Sequence, residues 1–245
     1  MPSPAFRETS DAIEVHDAPD AAGPDPHARL RGLGYEDAAA LLRPRSNTAS
    51  PAAGQDDTAE TRGAAGAESD FSEKLAKWSA TAPKQNYDHV RFRGVMVNKR
   101  TRQLVRRAEK IMREHFNHDD FRFSFSQGSY NRSVSASAGT HDGGGALDIR
   151  TRGHRKKVVD HMVQSLRMAG FAAWSRGRGH DSFGGSPHLH AIAVGDRELA
   201  PIARAQVTDF AHGRNGLRGH ARDPDRKLKA PVPKWAKNKL NKLRR

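Results

Sequence analysis

The chain has no cysteine among its 245 residues. Disulfides and thiolate metal sites are therefore excluded, and any metal must be held by histidine and carboxylate. No apolar run approaches the roughly 20 residues that span a bilayer. The opening stretch, MPSPAFRETSDAIEVHDAPD, has neither a basic n-region nor an apolar h-region, so no secretory signal is expected. Aromatic residues are sparse, at 7%. They fall in strand-like segments with core patterning, which leaves no basic surface interleaved with rings on which bases would stack.

Charge is abundant and uneven. Residues 1–70 hold 6 Lys and Arg against 13 Asp and Glu, near −7, so the rest of the chain carries about +21 of the net +14. A part that basic attracts polyanions: nucleic acid, anionic lipid, teichoic acid or cell wall. Residues 1–83 are rich in Ala, Asp, Gly, Pro, Ser and Thr, and are expected to be mostly disordered. One island near 28–43, within DPHARLRGLGYEDAAALLRP, spaces Leu30, Leu33, Tyr35, Ala38, Leu41 and Leu42 for a short amphipathic helix.

An ordered domain is expected over 84–212, beginning with an extended segment at 90–98. In KRTRQLVRRAEKIMREHF, the residues Leu104, Val105, Ala108, Ile111 and Met112 share one helical face. FRFSFSQ alternates as a half-buried strand, and ALDIR, GFAAWSR and HLHAIAV read as further strands. RKKVVDHMVQSLRMAGF is a second amphipathic helix with Gly170 as its C-cap. RELAPIARAQVTDFAHG reads as a closing helix interrupted at Pro201. The order predicts an α+β fold, a small antiparallel or mixed sheet with helices packed on it. Residues 213–245, with about 12 basic and 2 acidic residues, read as a basic tail. Its last stretch would place Trp235, Leu240 and Leu243 on one side of a helix, suited to a polyanion or membrane surface.

Two stretches carry chemistry. In GTHDGGGALDIR, Leu147 and Ile149 face one side of a strand, and Asp148 and Arg150 the other. In SPHLHAIAV, Leu189 and Ala191 face inward while His188 and His190 project together from the opposite face. The run Gly143–Gly145 lets the chain fold His141 back beside Asp148. Two imidazoles and a carboxylate suit Zn²⁺ with a fourth position left open, which is the pattern of a catalytic site.

At His141, Gly144, Ala146 and Asp148 the chain resembles the SxHxxGxAxD motif of the peptidase M15-like, or LAS, group. That group includes lysostaphin-type enzymes, D-Ala-D-Ala peptidases, phage endolysins and hedgehog proteins. His188-x-His190 resembles the paired histidines that complete the site. The resemblance spans about 90–212 and implies a hedgehog/DD-peptidase-like fold with zinc held by His141, Asp148 and His190. It places His188 as the base or transition-state donor. The motif's Ser falls at Gly139, and the Glu that many relatives use as general base is missing. Asp181 stands second to His188 for that role. Gln127 or Arg132, in SQGSYNR, would supply a donor to the developing oxyanion.

What the resemblance implies is a zinc peptidase cutting peptidoglycan stem or cross-link peptides, either D,D-carboxypeptidase or endopeptidase. It would act at the bacterial cell wall after non-classical release or injection. Residues 25–44 resemble segments of proteins associated with contractile injection systems, which implies docking to a secretion apparatus. Two other readings stay open: a catalytically silent metal-binding module on the same scaffold, and a basic nucleic-acid-binding protein.

Overall fold

The computed structural model describes residues 72–133 and 139–245, which lie within one unit of the chain, Asp56–Arg245. The acidic segment up to residue 71, with the island near 28–43, falls outside the described residues.

Among the described residues the architecture is α+β, with five α-helices and two small antiparallel sheets. Helix α1 is described over 72–80. Strands β1 (His89–Phe92) and β2 (Val95–Asn98) form a hairpin rather than one extended segment. Its turn is Arg93–Gly94, both at positive φ, 49° and 85°. That is the left-handed pair a two-residue hairpin connection needs.

Helix α2 (Lys99–Glu114) starts at Asn98, whose side chain accepts the Thr101 amide at 2.7 Å. Its expected face is the buried one: Leu104, Val105, Ala108, Ile111 and Met112 are fully enclosed. Helix α3 (Lys156–Ala169) packs on α2 and on the strand that follows it, β5 (Phe171–Arg176), and ends at Gly170 in the left-handed conformation, φ 106°. A Cβ on Gly170 would lie 2.4 Å from the Trp235 ring, so the cap serves packing as well as geometry.

The main sheet has the order β3 (Phe125–Gln127), β4 (Ala146–Arg150), β6 (His188–Ala193), β5 (Phe171–Arg176), all antiparallel. Leu147, Ile149, Leu189 and Ala191 are buried on one face. The residues between them point to the other, as the twofold strand period requires. Helix α4 (Pro201–Ala211) is opened by Pro201, not interrupted by it. At the first helical turn the missing N–H of proline leaves no bond unmade. No helix among the described residues is long and apolar enough to cross a membrane.

Both expected domain boundaries move outward. At the start, Leu75 and Trp78 of α1 pack against the core, and the Arg107 guanidinium lies over the Trp78 ring at 5.9 Å. At the end, residues 213–245 are not a solvated tail. Asp223 and Asp225, the only acids in that basic stretch, are buried anchors. Arg167 donates to Asp223 Oδ2 at 2.8 Å and to the Asp225 carbonyl at 3.0 Å, and the Ser175 amide donates to Asp225 Oδ2 at 2.6 Å. Helix α5 (Lys234–Leu243) then places Trp235, Ala236 and Leu240 in the core, with Leu243 left 41% exposed.

The packing of α5 carries a prediction. Trp235→Ala removes a core ring and leaves Gly170 facing a void. Urea titration should show a loss of about 3–5 kcal/mol, the usual cost of truncating a buried Trp. A loss below about 0.5 kcal/mol would mean that α5 is only resting on the surface.

Candidate metal centre

Three side chains converge on the face of the sheet opposite the Leu147–Ile149 core. Asp148 and His190 are cross-strand partners on β4 and β6. His141 arrives from the glycine-rich turn. His141, Asp148 and His190 each offer one ligand atom, all within 4.8 Å of one another. His190 Nδ1 lies 2.7 Å from Asp148 Oδ1, and His141 Nε2 lies 3.4 Å from the same oxygen. The two rings are 1% and 6% exposed for His141 and His190, so the group is shielded from bulk water.

The turn is shaped mainly by close approach. Only Gly145 of the three consecutive glycines has positive φ, 80°. A Cβ at Gly143 would sit 2.1 Å from the Glu198 carbonyl oxygen, and one at Gly144 would sit 2.7 Å from the Tyr130 hydroxyl. The chain is pinned there by the Gly144 amide to the Glu198 carbonyl, 2.8 Å, and by the Tyr130 amide to the Gly143 carbonyl, 2.9 Å. His141 is held between these seams.

Each imidazole is oriented by its outer nitrogen. His141 Nδ1 donates to the Gly128 carbonyl at 2.8 Å, and His188 Nδ1 to the Ser186 carbonyl at 2.8 Å. His190 Nε2 donates to Gln206 Oε1 at 3.0 Å. A neutral ring donating outward turns a lone pair inward: Nε2 of His141, Nδ1 of His190 and Nε2 of His188. Such a lone pair 2.7 Å from a carboxylate oxygen, as at His190, is stable only with a proton or a metal cation between the two. The donor set thus fits a cation.

Burial and charge act together here. Burial pushes the His190 ring below its usual 6.5, against the pull of the Asp148 charge. Burial works to raise the Asp148 carboxyl, but the His141 and His190 rings beside it outweigh that and hold the group well below its usual 3.8. Both groups therefore bind protons more readily in the unfolded chain. Their contribution to stability is complete above about pH 6.5 and is lost on acidification, first through His190 and then through Asp148. Melting the chelator-treated protein at a series of pH values should show Tm falling from pH 7.5 to 5 and again below 4. A Tm that rises over that interval would contradict the assignment.

A cavity of about 480 Å³ opens on this group. His188 lines it, with Nε2 3.7 Å from Asp148 Oδ1 and the Phe183 ring edge-on at 5.0 Å. Gln127 lines it too, buried and paired in register with Asp148 across β3 and β4. The other two candidates are elsewhere. Arg132 is exposed and is not among the lining residues. Asp181 is a loop anchor: its carboxylate accepts Arg176 Nη1 at 3.0 Å and the amides of Gly177 and Phe183 at 3.2 and 3.0 Å. Nearness in sequence to His188 did not translate into a place at the site, because Arg176 claims the carboxylate first.

Several lining residues escape a reading of the sequence. Ile202, Ala205, Gln206 and Asp209 of α4 face the cavity. Their i, i+3, i+4, i+7 spacing was the available signal. Trp174 stacks on His190 at 6.1 Å and 14°, and its Nε1 donates to the Arg214 carbonyl. That bond brings in the segment after 213, whose Leu217, Arg218 and His220 complete the wall. His220 Nδ1 is 2.8 Å from the buried Asp209. Gln206→Ala, which removes the acceptor behind His190, should weaken metal affinity about 10–100-fold by competition with a chromogenic chelator. Unchanged affinity would show that Gln206 does not set the tautomer. The chain matches no family model, no curated protein and no solved structure.

Proposed function

We propose that the protein is a zinc-dependent peptidase acting on peptidoglycan stem or cross-link peptides. The observation that carries this reading is the set of three oriented groups, His141, Asp148 and His190, beside a fourth, His188, that faces the same cavity without belonging to the cluster. Two imidazoles and one carboxylate, with no thiolate anywhere in the chain, favour zinc. The motif resemblance supports the substrate class, and the basic character of residues 71–245 suits an anionic wall.

When bound, zinc supplies Lewis acidity and an activated water. The rest is the work of the chain. His188 has Nδ1 committed to the Ser186 carbonyl, so Nε2 is free to take a proton on the cavity side. Gln127 lines the same wall and offers an amide donor to a carbonyl oxygen, while Arg218 brings a cation to the rim. Ile202, Leu217 and Phe183 give the cavity apolar surface on which a substrate can rest.

A second reading, a silent metal-binding module, is favoured by one observation: no glutamate lines the cavity. Purified peptidoglycan digested with the zinc-loaded protein, with and without chelator, decides between them. New peptide fragments by mass spectrometry, lost with chelator and restored by zinc, are expected. Intact peptidoglycan together with a salt-dependent shift of DNA would replace the peptidase by a nucleic-acid binder.

A further inference from the structure

We propose that the substrate peptide runs through the metal centre, and that acidic residues on the far side of His188 are held by a groove built on Arg150 and Arg152. This rests on the peptidase reading and specifies an internal rather than a terminal bond.

His188 belongs to two cavities. One is the 480 Å³ space over the metal group, and the other is a groove of about 1020 Å³ that it shares with Arg150 and Ser186. Their walls differ in chemistry. Around the metal group, Ile202, Ala205, Leu217 and Phe183 supply apolar surface between the polar side chains. The second groove is lined by Arg150, Arg152 and Lys156 and by the hydroxyls of Ser124, Ser126 and Ser186.

The charges in that groove are not balanced. Its only acid, Asp160, is taken by Lys156 Nζ at 2.7 and 2.9 Å. His180, also in the wall, is occupied by Asp225 at 2.9 Å. Arg150 and Arg152 are exposed, and among the described residues neither has an ion-pair partner. Arg150 is steadied by its Nε, which donates to the Phe125 carbonyl at 3.1 Å, so its terminal nitrogens remain for a ligand. It is also the cross-strand partner of His188, two pairs along from Asp148–His190 and on the same face of the sheet. The backbones of Arg150 and His188 are thus a strand spacing, about 5 Å, apart.

The shape separates end-trimming from internal cleavage. An enzyme that removes one terminal residue closes its site just beyond the bond. Here a groove twice the size of the metal cavity continues past His188, ample for several residues. Two unpaired guanidinium groups among hydroxyls recognise carboxylates, which fits a peptide with acidic side chains.

The test uses the full chain loaded with zinc, and two probes. The first is binding of a fluorescein-labelled, end-blocked tetraglutamate peptide and its tetraglutamine counterpart, read by anisotropy. The second is hydrolysis of soluble muropeptides, native or with their carboxylates converted to amides. Tetraglutamate should bind better than tetraglutamine. In R150Q/R152Q that preference should fall about 2–5-fold for each arginine, and the native-to-amidated ratio of kcat/KM should move toward one through KM. Equal binding of the two peptides, or a preference that survives the double variant, overturns the groove. Hydrolysis restricted to peptides with a free carboxyl end overturns passage through the site. Tetraglutamate bound as expected, with no muropeptide cut, keeps the groove and removes the peptidase. Muropeptides cut without preference do the reverse.

Discussion

Asp148→Ala is expected to leave the protein without stoichiometric zinc. Asp148 is the only anion in the group, and the other two ligands are neutral rings. It also lies at the centre of the arrangement: Oδ1 is 2.7 Å from His190 and 3.4 Å from His141. Alanine leaves a divalent charge in a buried, low-dielectric place with no counter-charge among its ligands, which is the costliest single change the site can suffer. The loss should far exceed the 10–100-fold penalty of removing an acceptor behind a ligating ring. Elemental analysis after gel filtration reads it directly. Full occupancy in that variant, with wild-type thermal stability, would refute the metal assignment.

The second large effect separates the two histidines of β6. His188→Ala should retain zinc while hydrolysis of peptidoglycan peptides falls about 10²–10⁴-fold, the range expected for a general acid–base group. His190→Ala should lose both. The asymmetry is visible in the contacts: His190 Nδ1 is in hydrogen-bond reach of Asp148 at 2.7 Å, whereas His188 Nε2 stands off at 3.7 Å. Loss of zinc from the His188 variant, or wild-type rates in both, would overturn these roles.

How much of this was legible depended on the range of the interaction. The faces of β4 and β6 follow from the twofold strand period, so the projection of Asp148, His188 and His190 to one side was readable from local sequence. The C-cap at Gly170 and the α2 face were readable for the same reason. The register that sets Asp148 opposite His190, rather than opposite His188, is a long-range choice, and short strands of similar composition do not announce it. The hairpin at Arg93–Gly94 hid because arginine is an uncommon residue at positive φ. Residues 213–245 were misread because a charge count weighs every residue equally. Asp223 and Asp225 matter by being buried against Arg167 and Ser175, which no composition reports. Arg132 and Asp181 were placed by nearness along the chain, but Asp181 is spent on Arg176 and Arg132 is exposed away from the cavity.

The covering of the cavity by residues after 213 has a consequence for biosynthesis. All three residues of the cluster lie between 141 and 190, whereas the wall around them extends to His220 and is fastened through Asp225 and Trp235. At a synthesis rate of roughly 5–20 residues per second, the ligands leave the ribosome seconds before the enclosing segment. During that interval the cluster lacks the wall that Leu217, Arg218 and His220 supply. The wall around the cluster is therefore completed only after every residue of the cluster has been made.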